Sequence, residues 1–441
     1  MEKKKLKISN NEFYAEKANQ LIPGGAHTYS KGGDQFPEIA PRIIKRGMGC
    51  KLWDVDGNEF TDMAMSLGTV VLGHAYGPVL EAVKRELNDG VNFCLPSVIE
   101  GELAELLIDL IPSAEMVKFG KHGSDAVTGA IKLARAYTGR KYIARCADDA
   151  FNAIHDWFIG STIVNRGVPE EIQRLTLKFN YNDINSCQKL FDEFPGQIAC
   201  FILEPLSFIE PKDNFLEKLK AICEKNGALL IFDEVVSGFR FALGGAQEFV
   251  RVTPHLSAFG KAMANGFSVS ALVGQREFMR LGGIDHDQER VFLLSTTHGG
   301  ETHALAAAIT SINEIRNHNL VKYFWETGKK LMDGIRKAAE EVGAEKYINI
   351  AGYSVKPSFS FKDEAGNVSM VARTLFLQET ISRGLLMPYM VPSFAHKQED
   401  INFAIDCVCE ALIVMKEAAE GPGMASAIKG GIVKPVFRKF N

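Results

Sequence analysis

The sequence predicts an α/β fold, a mostly parallel sheet covered by helices on both faces. From about residue 78 onward, helical stretches such as "GPVLEAVKREL" and "EGELAELLIDLI" alternate with short apolar runs: "MVKFG", "YIAR", "IACFILEP", "ALLIFDEVV", "SAFG" and "SALVG". Strands that alternate with helices need crossover connections, and those cover both faces of a parallel sheet. The composition agrees. At 441 residues, with 46% hydrophobic and 24% charged side chains, the chain is an ordinary globular protein with room for a large core in two or three units.

The elements follow in order. "FYAEKANQL" reads as a short helix running into a Pro-Gly-Gly turn. "GCKLWDVDGNEFTDMA" reads as a hairpin, two alternating strands around Asp56-Gly57 in a type I′ turn. The six apolar runs and their helices come next. From about residue 305, "ALAAAITSINEIRNHNLVKYFWETGKKLMDGIRKAAEEV" reads as one long helix into a mixed region. That region closes on "EDINFAIDCVCEALIVMKEAAE", amphipathic at helical spacing. The glycine-rich, basic tail "GPGMASAIKGGIVKPVFRKFN" is either an ordered arm or a mobile end. The expected division is residues 1–77, 78–318 and 319–441.

Several function classes are disfavoured. A net charge of −4 offers nothing to nucleic acid or to an anionic membrane. "MEKKKLKISNNEF" is basic but lacks the apolar stretch of a secretory signal, and no apolar run approaches the roughly 18 residues of a membrane span. The eight cysteines are scattered without metal-like spacing, the pattern of reduced thiols in a cytoplasm. Cys407 and Cys409 read as core thiols that face different ways on a helix. No HExxH or His/Asp cluster supports a metal, so structural or substrate-edge roles are expected for His27, His298 and His303 rather than metal binding.

Chemistry gathers at three places. In "GALLIFDEVVSGFR" an apolar strand ends in two carboxylates, at the strand end where open α/β sheets bind ligands. Alternation puts Asp233 and Val235 on one face and Glu234 on the other. An aspartate beside a β-branched residue suits a flat ring with one basic nitrogen, although a strand-end acid can also simply cap the next helix. In "FGKHGSDAVTGAIKLARAYTG" a strand runs into an alanine-rich helix at Gly123-Ser124, and helix-start N–H groups with Ser124 as cap suit a phosphate. An ordinary N-cap would look the same. In "FGKAMANGF" Lys261 stands among small residues with no charge nearby, where a desolvated lysine can form a Schiff base. Together these are the parts of a pyridoxal-phosphate site.

The chain resembles a class III, fold-type I aminotransferase, and within that class it is most similar to glutamate-1-semialdehyde aminomutase. "LIFDEVVSGFRFALGGAQEF" followed by "VTPHLSAFGKAMANGF" is the collinear match that carries the resemblance, which runs nearly the whole chain. The resemblance implies a seven-stranded sheet with a smaller α+β domain from the two chain ends, and pyridoxal phosphate as cofactor. It implies that Lys261 makes the Schiff base, Asp233 pairs the pyridinium nitrogen, Val235 and Phe151 lie on the ring, and Gly123 and Ser124 bind the phosphate. "STTHGGETHALAAA" matches the segment from which Thr297 would reach the phosphate of a neighbouring subunit, implying a homodimer with shared sites.

The departures shape the expected reaction. The family's Tyr-His-Gly reads Phe151-Asn152-Ala153 here. Where the aminomutase grips its substrate carboxylate with arginine, "PGGAHTYSKGG" offers Lys31, with His27 nearby, and a neighbouring asparagine is replaced by Ile209. Lysine cannot reproduce the arginine fork. The expected activity is therefore transfer of an amino group from an amino acid, with glutamate first, to a small and phosphorylated carbonyl, as in relatives tied to capsular or surface-polysaccharide synthesis. The alternatives are the aminomutase itself, an isomerase, and a cofactor-bearing protein without turnover.

Overall fold

The computed structural model describes residues 1–440. The chain divides into two compact units, Met1–Tyr76 with Lys322–Arg438, and Gly77–Val321 with the last residues from Lys439.

The second unit is built on a seven-stranded sheet: β1 (Met116–Gly120), β2 (Tyr142–Cys146), β3 (Thr176–Phe179), β4 (Ile198–Leu203), β5 (Leu229–Asp233), β6 (Leu256–Phe259) and β7 (Ser270–Gly274). Their order across the sheet is β1-β7-β6-β5-β4-β2-β3. β7 pairs antiparallel with both neighbours, and the other pairs are parallel. Every residue of β4 and β5 is buried, which is why both read as unbroken apolar runs. The fold class is as expected. β3 is the strand missing from the residue reading. Its "TLKF" lies at the sheet edge and exposes Lys178, so it lacks the apolar run that marked the others.

Two helices bear on the site. α1 (Gly123–Thr138) buries Ala126, Gly129, Ala130 and Ala134, small residues that let it lie close to the sheet. The expected long helix is two, α2 (Thr302–Asn317) and α3 (Leu320–Glu341). The chain breaks at His318-Asn319, where Asn319 takes a left-handed φ of 50°. Asparagine tolerates that conformation better than most residues, and "RNHNL" was the overlooked signal.

The first unit carries a four-stranded sheet of Ile44–Met48, Lys51–Asp54, Glu59–Asp62 and Leu385–Leu386, the last pair parallel. A two-stranded ribbon, Ile348–Tyr353 with Lys356–Phe361, joins it together with helices α4 (Met370–Ser382) and α5 (Gln398–Glu420). Phe60, Leu331, Phe361, Phe376 and Met415 share its core. The hairpin is present, but its turn is not type I′. Of the two central residues only Gly57 has a positive φ, and the connection lengthens because Asp54 Oδ1 accepts the N–H groups of Asp56 and Asn58. The basic tail is an ordered arm: Lys429 N–H donates to Gln378, Val433 N–H to Thr374 Oγ1, and Arg438 pairs with Asp34.

Candidate active site

β5 is the central strand of its sheet, and Asp233 is its last residue. Asp233 is 3% exposed. Its Oδ1 accepts Val235 N–H at 3.1 Å and its Oδ2 accepts from Asn152 Nδ2 at 3.0 Å. Burial, with the charge of Glu204 behind it, pushes its carboxyl up to about 7, against smaller opposite pulls from the Asn152 and Val235 hydrogen bonds and from Lys261. Glu234, on the opposite face as alternation requires, is structural. It accepts from Ser237 Oγ and from the N–H groups of Ala246 and Gln247, and so caps the next short helix. The capping role belongs to this second carboxylate and leaves Asp233 for a ligand.

Lys261 comes two residues after β6, the strand beside β5. It holds a left-handed φ of 44°, unusual for a long side chain. Such backbone strain, of order 1–3 kcal/mol, persists where surrounding structure imposes it and clusters at functional positions.

Gly123 opens α1 against Val235. A Cβ there would lie 2.7 Å from Val235 Cγ2 and 2.8 Å from Cγ1, so no other residue fits without displacing that side chain. Ser124 is not the cap that the sequence suggests. Asp125 reaches back instead, and its Oδ2 accepts the N–H groups of Lys121 and His122 at 2.9 Å each. Ser124, buried in the first turn, accepts Ile154 N–H through its Oγ at 3.2 Å. The first N–H groups of a helix have no acceptor within it, which suits the start of α1 to an anion.

The Ile154 bond ties α1 to the loop after β2, which carries Phe151 and Asn152. Phe151 is 44% exposed and stands edge-on to Phe158, ring centroids 5.5 Å apart. Thr297 is exposed, and its backbone oxygen accepts from Asn92 Nδ2 at 3.0 Å. His298 pairs with Glu301, which also holds Lys121. Lys31 and His27 are exposed residues of the other unit.

The sequence reading had missed Asp149 and Glu204. Both are buried, and Asp149 Oδ2 accepts Glu204 N–H at 3.0 Å. Their place follows from the sheet: β2, β4 and β5 are neighbours in one parallel run, and each is followed or ended by a carboxylate at its carboxyl end.

The start of α1 at Gly123 meets Val235, Val235 N–H donates to the buried Asp233 carboxyl, and Asn152 of the loop after β2 donates to the same carboxyl, so the three make one constellation. Residues 33–406 match the model of the aminotransferase class-III family. The chain belongs to that family. This class-III aminotransferase is 32% identical to the glutamate-1-semialdehyde 2,1-aminomutase of Syntrophobacter fumaroxidans, over 91% of this chain and 97% of that one. It is also 32% identical to the 3-aminobutyryl-CoA aminotransferase of Cloacimonas acidaminovorans, over 94% and 99%. Among solved structures it resembles the ω-transaminase of Sphaerobacter thermophilus, with a TM-score of 0.82, 26% identity and coverage of 94% and 98%. The FumI protein of Sphingopyxis sp. MTA144, solved in its PLP internal aldimine form, gives a TM-score of 0.84, 25% identity and coverage of 93% and 97%.

The cofactor of this aminotransferase is pyridoxal phosphate, and the residues present fit it. The start of α1 has the N–H groups that suit a phosphate, Gly123 lets α1 lie directly against Val235, and a protonated ring nitrogen would favour the ionised form of the buried Asp233 carboxyl, which burial holds up. No helix among the described residues is long and apolar enough to cross a membrane.

Proposed function

We propose that this aminotransferase moves an amino group from L-glutamate to a small phosphorylated ketone or aldehyde. Dihydroxyacetone phosphate, which would become serinol phosphate, is the model acceptor, and the product would serve cytoplasmic synthesis of a surface-polysaccharide precursor. The observation that carries this reading is Lys31. It lies on the turn Tyr29–Lys31, exposed, with no carboxylate partner among the described residues. A free ammonium suits a phosphate as a point charge but cannot grip a carboxylate with two parallel bonds.

Bound pyridoxal phosphate supplies an aldehyde for the incoming amine and a ring that takes up the electron pair released when the substrate carbon loses its proton. The chain does the rest. Lys261 would take up the proton that the substrate carbon loses and hold it for return, general acid–base work worth about 10²- to 10⁴-fold. Asp233 holds the proton on the ring nitrogen, Val235 and Phe151 flank the ring, and the Gly123 and Ser124 end of α1 binds the phosphate. Thr297 of a second copy completes that phosphate site in a homodimer. The exposed Phe93, Leu95 and Val98 support this, because they follow directly on Asn92, which holds Thr297.

A second reading, intramolecular amine transfer, is favoured by the aminomutase relatives. One experiment separates the two: the pyridoxamine form is mixed with a panel of carbonyls and the return of the visible spectrum is followed. The expected result is fastest return with a phosphorylated triose, release of 2-oxoglutarate from glutamate, and, on Lys31→Ala, a larger rise in KM for the phosphorylated ketone than for its unphosphorylated form. Conversion of glutamate-1-semialdehyde to 5-aminolevulinate with kcat/KM above about 10⁴ M⁻¹s⁻¹ would overturn it in favour of the mutase.

A further inference from the structure

Behind Asp233 lies a buried arrangement that the roles above do not use. Asn152 Nδ2 stands 3.0 Å from Asp233 Oδ2 and 3.2 Å from Asp149 Oδ2. A carboxamide nitrogen has two N–H groups, and both are directed here at carboxyl oxygens. The reverse orientation would set the amide oxygen against two acceptors. Asp149 Oδ2 is itself anchored by Glu204 N–H. Asp149 and Asn152 are both more than nine-tenths buried, yet Asp149 Oδ1 and Asn152 Oδ1 each lack a hydrogen-bond partner. Orphaned oxygens in a core are uncommon, and packing alone does not account for two on adjoining side chains.

We propose that Asn152 is the positioning residue of Asp233, turned and fixed by Asp149, so that one Asp233 oxygen is aimed at the cofactor's ring nitrogen and kept ionised there. The proposal rests on the pairing of Asp233 with that nitrogen.

The surrounding charges fit. Arg145, Cys146, Glu204 and Asp233 face Asp149, and Glu204, Asp149 and Lys261 face Asp233. Burial first, and Glu204 second, hold the Asp149 carboxyl well above the usual carboxylate range. In its neutral form Asp149 still accepts the Asn152 and Glu204 N–H groups through Oδ2 and adds no charge to repel Asp233. Where the family resemblance places a histidine, this chain has a donor that does not titrate. Asn152 can give its N–H to Asp233 at any pH at which the fold survives.

The test is the protonation of the ring nitrogen, read by 15N NMR on holoenzyme loaded with 15N-labelled pyridoxal phosphate. Asn152→Ala is expected to lower the pH at which that nitrogen loses its proton by at least one unit, about tenfold in the equilibrium. Asn152→His should move it back toward wild type. Asp233→Ala, run alongside, reports on the pairing itself. If Asp233→Ala lowers the midpoint and Asn152→Ala leaves it at the wild-type value, the positioning role is overturned while the pairing stands. If Asp233→Ala also leaves it unchanged, the pairing fails and the proposal fails with it. Should Asn152→Ala not give a folded holoenzyme, Asp149→Ala decides: a lowered midpoint supports the proposal, and a wild-type midpoint overturns it.

Discussion

Asp233 and Lys261 are coupled, since opposite charges make each more easily charged when the other already is. With its carboxyl pushed up to about 7, Asp233 takes a proton in the cofactor-free fold at a pH where the unfolded chain, near 3.9, has lost it. The native state therefore binds more protons between about pH 4 and 7. Its stability from this group is fully present below that window and is lost as pH rises through 7. Melting of the cofactor-free protein should fall across pH 5 to 7.5 relative to Asp233→Asn, and the difference should shrink once pyridoxal phosphate is bound. A wild-type curve as flat as the variant's would contradict this. Lys261→Ala should lose the visible absorption of the lysine-linked cofactor and at least about 10²-fold in turnover, since a methyl group can neither form that bond nor carry a proton. A borohydride-reducible adduct in that variant would remove Lys261 from its role.

Among the elements, α1 is the most exacting, because its first residue meets the strand-end valine with no space between. Gly123→Ala would drive a methyl group to within 2.7–2.8 Å of both Val235 methyls. Pyridoxal phosphate should then bind at least about tenfold more weakly, roughly 1.4 kcal/mol, and a cofactor titration followed by protein fluorescence measures it. Unchanged affinity would mean that Val235 is free to move aside. The same elements show what was legible in the chain and what was not. β4, β5 and β6 announced themselves because full burial leaves unbroken apolar runs, and Asp233 stood out as the charge that ends one of them. Asp149 and Glu204 did not. Their meaning lies in which strands are neighbours, and strand order is a long-range fact that no local pattern carries. Ser124 was misread as a cap because two side chains in one turn could perform the task, and Asp125 takes it. Asn319 was hidden inside a helical pattern that its left-handed backbone interrupts.

At the scale of the whole molecule, the shared-site reading predicts complementation. Lys261→Ala chains mixed with a Thr297 variant weakened in cofactor binding should form heterodimers in which one site carries both defects and the other neither. Activity above that of either homodimer is the expected result, and proven heterodimers without it would refute sharing. The unit that contains Lys31 has a different consequence, in time rather than in space. Its sheet is completed by Leu385–Leu386 lying parallel to Glu59–Asp62, and Met63 N–H donates to Leu386 O. On a ribosome adding ~5–20 residues per second, the early strands wait tens of seconds while the whole of Gly77–Val321 is made. Through that interval the edge of Glu59–Asp62 is unpaired and the apolar side of Phe60 is uncovered, so the nascent chain is open to wrong partners until its closing strand emerges. Chaperone dependence and losses during expression should therefore track slow translation of the middle of the message, even when the finished enzyme is stable.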